Sequence, residues 1–112
     1  MRFEYHASQF STEHSEEEKQ QFALEFQSIT SQMHEAMQQG LPANSSEVQE
    51  LVKTHYEFVA RFWKPNKGAY KNLALMYIVP SEYRDYYENV GEGLSKYTYD
   101  ALCMWADENL PD

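Results

Sequence analysis

Apolar side chains recur with the 3.6-residue spacing of amphipathic helices in five segments, and no segment alternates apolar and polar positions as a strand would. No internal repeat is visible along the chain. The pattern therefore predicts an all-α fold of about five helices joined by short connections. The predicted helices cover residues 16–39, 45–63, 67–79, 81–87 and about 94–109.

Residues that start or stop helices stand at the ends of these segments. The acidic run Glu16–Glu18 suits the positive end of a helix dipole, and Gly40 supplies a C-terminal stop for the first helix. Asn44, with Glu47 three residues later, predicts a capping-box variant at the start of the second helix. Pro65 is expected to end that helix.

The apolar faces predict how the helices pack. The third segment is apolar over a wide arc, so we expect it to lie at the centre of the fold. On the outer side of the second helix, Glu57 and Arg61 are predicted to form an i, i+4 ion pair. The predicted inward face of the final helix consists of Leu94, Tyr97, Ala101, Met104 and Trp105.

The chain length allows one domain. The sequence has 112 residues, of which 42% are hydrophobic, so it can bury a single core without disulfides or metals. Residues 1–14 carry aromatic side chains without helical spacing, and we predict that they form an irregular arm. The helical domain is then expected to span residues 15–112.

Net charge and cysteine usage exclude several classes of function. A formal net charge of -9 would repel nucleic acid and anionic lipid, and no apolar run approaches the roughly 18 residues that cross a bilayer. The lone Cys103 cannot form an internal disulfide, and no secretory signal is visible. These features predict a cytoplasmic protein that neither spans a membrane nor binds nucleic acid by itself.

The sequence carries no recognisable catalytic motif. It lacks H-E-x-x-H, G-x-S-x-G, C-x-x-C and any phosphate-cradling glycine loop, so we expect no enzyme and no cofactor. His14 with Glu17 or Glu18 could chelate a metal on one helix face. Since acidic first turns are ordinary, we favour a solvated helix start and predict no metal site. Cys103 is expected to be a buried inert thiol rather than a reactive one.

Aromatic residues form 15% of the chain, more than a minimal core of this size needs. His55 lies on an apolar helix face, which leaves three interpretations. It is either a core histidine hydrogen-bonded to a backbone carbonyl or a tyrosine, or a residue that contacts a ligand. Haem ligation is the third and least supported interpretation. Trp63, Tyr70 and Tyr77 either pack in the core or line a pocket, where amphipathic rings are useful. The candidate ligand-binding residues are His55, Tyr56, Val59, Phe62, Trp63, Tyr70, Leu73, Tyr77 and Tyr87.

The order of several short segments resembles the TipAS antibiotic-recognition domain family. The likeness covers roughly residues 20–106, and no single segment would carry it alone. The segments are His34–Gly40 followed by Pro42, Val48–Val52 with His55, Phe62–Pro65, Leu73–Val79, Tyr83–Tyr87 and Gly93–Ser95.

This resemblance implies a globin-like helical fold without haem that binds large peptide-type antibiotics in a cleft between helices, beneath a mobile N-terminal part. Family members are usually effector domains of MerR-like transcriptional activators, and some are free-standing drug-binding proteins. No DNA-binding segment precedes the domain here, so we expect either a sequestering protein in drug resistance or the effector part of a longer regulator. The thiopeptide-binding member captures its drug through a cysteine near the start of the third helix. The matching stretch Lys64–Gly68 has no thiol, so reversible binding is expected.

The leading hypothesis is therefore a domain that takes a large, mainly apolar or heteroaromatic antibiotic into an aromatic cleft. The alternative is a helical protein-interaction domain, in which the same aromatic residues contact a partner helix or a second copy of the chain.

Overall fold

Five helices account for the regular structure of residues 15–111, which are the residues that this computed structural model describes. No strand occurs between residues 15 and 111, so the all-α prediction is confirmed. The predicted arm at residues 1–14 lies outside the described residues, and the domain boundary stays a prediction. The helices are α1 (Glu16–Gln38), α2 (Ser46–Ala60), α3 (Lys67–Leu75), α4 (Glu82–Val90) and α5 (Leu94–Asn109).

Local hydrogen bonds explain where α1 begins and ends. Ser15 and Glu18 form a reciprocal capping box, in which the Ser15 Oγ accepts from the Glu18 amide and the Glu18 carboxylate accepts from the Ser15 amide, both at 3.1 Å. At the other end, Gly40 adopts the left-handed conformation, with φ 77°, that a helix C-terminus often needs. The predicted start and stop of α1 are confirmed.

The ends of α2 and α3 differ from the predicted ones. The N-cap of α2 is Ser45 rather than Asn44, since the Ser45 Oγ accepts from the Val48 amide at 3.3 Å. The helix ends at Ala60 rather than Trp63, and α3 ends at Leu75 rather than at residue 79. After each of these helices the backbone continues through a tighter turn with i to i-3 hydrogen bonds. Such turns keep side chains near helical spacing after the α-helix has ended.

The helix at the centre of the fold is α5, not α3 as predicted, because α5 packs against each of the other four helices. Its buried face is also rotated from the predicted one, and Met104 is 41% exposed. The face includes small side chains, which allow the neighbouring backbones to approach closely. Its buried members are Leu94, Ser95, Thr98, Ala101, Leu102, Trp105 and Ala106.

A carboxylate from α4 caps the central helix. The N-cap residue of α5 is Gly93, which has φ 87° and no side chain to satisfy the first amides. Glu88 supplies the missing acceptor: its carboxylate accepts from the Gly93 amide at 3.1 Å, from the Ser95 amide at 3.0 Å and from the Ser95 hydroxyl at 2.7 Å. These bonds hold the pKa of Glu88 below its usual value, the Ser95 hydroxyl contributing most. The α4–α5 turn is therefore fixed by one negative charge at a helix N-terminus.

We predict that Glu88→Gln lowers the free energy of unfolding at pH 7 by about 1 kcal/mol, because the amide retains the shape but loses the charge that the α5 amides favour. The folded-state pKa is depressed, so the contribution of Glu88 is present above the unfolded-state value of about 4.3 and disappears as the pH falls through the folded-state value. Urea unfolding at pH 7 and at lower pH measures both effects.

The matched control is Glu92→Gln, which removes an exposed carboxylate from the same turn. An equal loss of stability in both variants, or a Glu88→Gln deficit that persists unchanged well below pH 4, would contradict this account of the cap.

Candidate functional site

The interior of the domain contains a histidine held between two tyrosine hydroxyls. The His55 Nδ1 lies 2.7 Å from the Tyr70 hydroxyl, and its Nε2 lies 3.1 Å from the Tyr77 hydroxyl. All three side chains are at most 1% exposed. A neutral imidazole has one donor and one acceptor nitrogen, so one tyrosine donates to the ring and the other accepts from it. His55 is thus the tyrosine-bonded core histidine among the alternatives that its position allowed.

The hydrogen-bonded group extends from Tyr77 into α4 and α1. Tyr87 of α4 is hydrogen-bonded to Tyr77 and to Thr30 of α1, and the Thr30 hydroxyl donates to the Phe26 carbonyl at 2.9 Å. Burial raises the pKa of Tyr70, Tyr77 and Tyr87 above the usual tyrosine value. The three hydroxyls therefore remain protonated throughout the physiological range, so each keeps its proton for hydrogen bonding inside the core.

The nine candidate ligand-binding residues divide into two groups by exposure. Six are buried, at 0 to 7% exposed, and fill the interior rather than the wall of an open cavity. Their contact with a ligand stays a prediction, and it would require the core to open. The buried six are His55, Val59, Tyr70, Leu73, Tyr77 and Tyr87.

The other three candidates lie at or beyond the C-terminal end of α2 and are half-buried. Tyr56 packs towards α5, with its ring centroid 5.0 Å from that of Trp105, and its hydroxyl donates to the Pro65 carbonyl at 3.1 Å. Phe62 and Trp63 follow the last turn of α2 and pack against the core as half-buried side chains. Of the predicted residues, these three are the ones that a ligand could reach without disturbing the core.

A cluster of three phenylalanines joins the start of α1 to the end of α2. Phe22 packs edge-on against Phe62 at 4.8 Å and against Phe58 at 6.4 Å between ring centroids. The Arg61 guanidinium carbon lies 5.0 to 6.0 Å from all three centroids, within the range of a cation–π contact. The same guanidinium donates to the Glu25 carboxylate at 2.7 Å. Arg61 therefore pairs across to α1, and the predicted pair with Glu57 on its own helix is wrong.

A groove of about 330 Å³ runs between α1 and α2 beside this cluster. Ile29 and Phe58 form its apolar part, while Glu25 and Glu57 contribute carboxylates and Arg61 contributes the guanidinium. The remaining lining side chains are the neutral polar ones of Ser28, Gln32 and Thr54. The groove thus combines an apolar surface with two carboxylates and a single cation that one of them already binds.

Sequence reasoning missed Glu25, Phe58 and Arg61 as groove residues. The helical pattern placed Phe58 close to the apolar face of α2 and Arg61 among solvated charges, because it describes one helix at a time. The pairing of Arg61 with Glu25, 36 residues earlier, follows from the antiparallel packing of α1 on α2. A signal was present in the two phenylalanines that flank Arg61 by one and three positions, which place aromatic rings on both sides of a cation.

Other candidate chemistry is limited within the described part of the chain. Residues 15–111 hold no group of three or more histidine, cysteine or acidic side chains arranged for a metal ion, and His14 lies outside this range. None of the helices described is long and apolar enough to cross a membrane. Cys103 is half-buried in α5, where burial raises the pKa of its thiol and Tyr99 is hydrogen-bonded to it. A raised pKa keeps this thiol protonated and weakly nucleophilic.

The fold and the groove define an all-helical domain with a polar histidine–tyrosine core and an aromatic surface at the α1–α2 junction. The sequence matches the model of the TipAS antibiotic-recognition domain over residues 3–105. The chain belongs to this family, as its segment order predicted.

Two comparisons with individual proteins extend this result. The chain is 31% identical over 88 residues to the HTH-type transcriptional regulator SkgA of Caulobacter vibrioides; the match covers 77% of this chain and 34% of SkgA. The chain thus spans about a third of the length of that curated relative. TipAS of Streptomyces lividans, solved with nosiheptide as part of a thiopeptide antibiotic multidrug resistance system, superposes with a TM-score of 0.83 at 20% identity. That superposition covers 99% of this chain and 78% of TipAS, and it supports the shared fold.

We predict that His55→Phe lowers the free energy of unfolding by about 2–3 kcal/mol. The substitution leaves the Tyr70 hydroxyl buried beside a carbon ring, whereas Tyr77 retains Tyr87 as a partner. Urea unfolding followed by circular dichroism measures the loss. The double variant His55→Phe with Tyr70→Phe should recover part of it, since no orphaned hydroxyl then remains at that end.

Equal stability of His55→Phe and the unaltered protein would show that the two hydrogen bonds contribute nothing net. A double variant that is destabilised by the full sum of the single losses would show that the two residues are not coupled.

Proposed function

We propose that this domain recognises antibiotics: it binds large, mainly apolar peptide-type or heteroaromatic molecules reversibly through aromatic side chains. The observation that carries the proposal is the family match over residues 3–105, nearly the whole chain. The proposed role is sensing or sequestration, not catalysis, so the domain is not an enzyme.

The half-buried aromatic side chains at the end of α2 supply the recognition surface in this proposal. Phe62 and Trp63 are large rings that are anchored on one side and accessible on the other. Rings of this kind bury apolar area against a ligand at low conformational cost, because they are already fixed in place. The nearby groove between α1 and α2 adds an adjoining depression. Both rings pack against the buried core, to which Tyr77 belongs.

The position of Cys103 and the raised pKa of its thiol support reversible binding. Cys103 lies in α5, and the stretch Lys64–Gly68, where the resemblance would put a capturing thiol, contains none. The raised pKa of Cys103 leaves little thiolate at neutral pH. We therefore infer an equilibrium complex without a covalent bond to the protein.

Two biological settings suit such a domain. The similarity to part of an HTH-type regulator favours an effector role in a MerR-like transcriptional regulator. The other setting is a free-standing protein that sequesters the drug and so confers resistance. In both, the net charge of -9 argues that promoter contacts would be made by another domain, and the lone thiol suits the cytoplasm.

A protein-interaction role is the second candidate, with a second copy of the chain as the partner. The observation in its favour is the exposure of large apolar side chains, which interfaces commonly bury. They are Leu24, Leu75, Val79 and Met104, at 39 to 58% exposed. Analytical sedimentation over a range of concentrations, with and without antibiotic, distinguishes dimerisation from ligand binding.

We predict that a panel containing nosiheptide and albicidin-like compounds includes at least one ligand that quenches tryptophan fluorescence and raises the melting temperature. Trp63→Ala should weaken binding of that ligand by about tenfold or more, because a central aromatic contact is typically worth at least 1–2 kcal/mol. Cys103→Ser should leave the dissociation constant within about twofold. Calorimetric titration measures both constants independently of fluorescence.

The absence of quenching and thermal shift across the whole panel would count against antibiotic recognition. An equal loss from Trp63→Ala and Cys103→Ser would instead mean that the ligand lies elsewhere or that the thiol takes part.

A further inference from the structure

The groove between α1 and α2 already holds a flat cation from the protein itself. The Arg61 guanidinium lies against Phe22, Phe58 and Phe62, at 5.0 to 6.0 Å from the ring centroids, while Glu25 accepts its hydrogen bond at 2.7 Å. A planar positive group thus has both of its preferred contacts here, aromatic rings and a carboxylate.

This internal contact is held loosely enough to be exchanged. The Arg61 side chain is 46% exposed and that of Glu25 is 35% exposed, so both remain accessible to water. Ion pairs at such exposure contribute little to stability, because solvent screens them and two long side chains lose freedom. A ligand that offers a larger planar surface could therefore replace the guanidinium without unfolding the domain.

The electrostatics of the groove favour a cation as the replacement. Its lining contains two carboxylates, Glu25 and Glu57, and Arg61 is the cation among its lining residues. When Arg61 moves aside, two negative charges face an apolar surface formed by Ile29 and Phe58. The net charge of -9 on the whole chain adds a weaker attraction of the same sign.

The size of the groove limits what can enter. A volume of about 330 Å³ lies at the lower end of the range for small-molecule sites, so it suits a fused-ring system rather than an entire large peptide antibiotic.

We propose that the α1–α2 groove binds planar aromatic cations, which take the place of the Arg61 guanidinium against the phenylalanine cluster and pair with Glu25 and Glu57. This assignment rests on the proposed function, since it names a ligand class and a subsite for the same recognition role. A larger antibiotic would use the groove for one flat, positively charged ring.

Two related probes test the assignment on the unaltered protein. 9-Aminoacridine is a planar cation at neutral pH, and acridine is a ring system of nearly the same shape that is uncharged there. Calorimetric titration should show that 9-aminoacridine binds at least about tenfold more tightly than acridine, because only the cation gains the carboxylates. Binding of 9-aminoacridine should weaken as salt is added.

Substitutions locate the site. Glu25→Gln and Glu57→Gln should each weaken 9-aminoacridine binding by about fivefold, and Arg61→Gln should tighten it by about fivefold, because a competing internal cation is removed. The matched controls are Glu35→Gln on α1 and Glu50→Gln and Lys53→Gln on α2. These make the same charge changes outside the groove lining and should alter the constant by less than about twofold.

Each other result overturns the assignment. Undetectable binding of 9-aminoacridine or equal affinity for acridine would exclude recognition of a cation. Equal effects in groove and control variants would reduce the attraction to the overall charge, and weaker binding by Arg61→Gln would make Arg61 a ligand contact rather than a competitor. If nosiheptide stabilises the domain while 9-aminoacridine does not bind, the groove assignment fails and antibiotic recognition stands. If the cation binds as predicted and no antibiotic binds, the groove assignment stands and antibiotic recognition fails.

Discussion

The hydrogen bonds that His55 makes inside the domain are the constraint on which the rest of the structure depends. A core that contains three fully buried tyrosines must provide a partner for each hydroxyl, since an unsatisfied one costs about 1–3 kcal/mol. His55 is hydrogen-bonded to Tyr70 and Tyr77 at the same time, and Tyr77 is also hydrogen-bonded to Tyr87. Because these side chains come from α2, from α3 and the turn after it, and from α4, their geometry fixes how these parts of the chain pack together. Apolar residues of similar size would fill the volume but would tolerate more than one arrangement.

The buried tyrosine hydroxyls bond to groups inside the core, so the proposed ligand recognition depends on the aromatic surface outside it. Tyr70 and Tyr77 do not line an internal cavity, because both are fully buried and hydrogen-bonded to His55. Aromatic surface that remains accessible is found instead where α2 ends, at Phe62 and Trp63, and where α1 crosses it, at Phe22. The aromatic excess of the chain therefore serves two purposes at once: polar-tipped rings organise the core, and phenylalanine with tryptophan forms an accessible face.

Much of the fold could be predicted from the sequence, because helix periodicity and helix-ending residues act locally. The acidic run Glu16–Glu18 lies at the start of α1 and Gly40 just beyond its end, as predicted, since each acts through its own backbone neighbours. The errors arise where tertiary packing decides. The α-helix of α2 stops at Ala60 although apolar spacing continues, and α5 occupies the centre because its small residues admit neighbouring helices, which an arc of apolar residues does not reveal.

The candidate site was less predictable for the same reason. A histidine on an apolar helix face indicates burial, but the sequence does not specify whether its partner is a tyrosine or a ligand. The partners of His55 are Tyr70 and Tyr77, which lie 15 and 22 positions away along the chain and approach it only in the folded domain. Arg61 shows the point most clearly. Its near neighbour Glu57 lies one turn away on the same helix, yet the guanidinium extends to Glu25 because three phenylalanine rings there favour a flat cation that a water-exposed helix face does not. A contact that satisfies charge and ring stacking together outweighs a purely local ion pair of a few tenths of a kcal/mol. In the proposed groove, Arg61 also competes with the ligand. A ligand must gain more from the phenylalanine rings and the carboxylates than the guanidinium that it displaces. Weakly bound or non-planar cations are therefore excluded by this competition as well as by the shape of the groove.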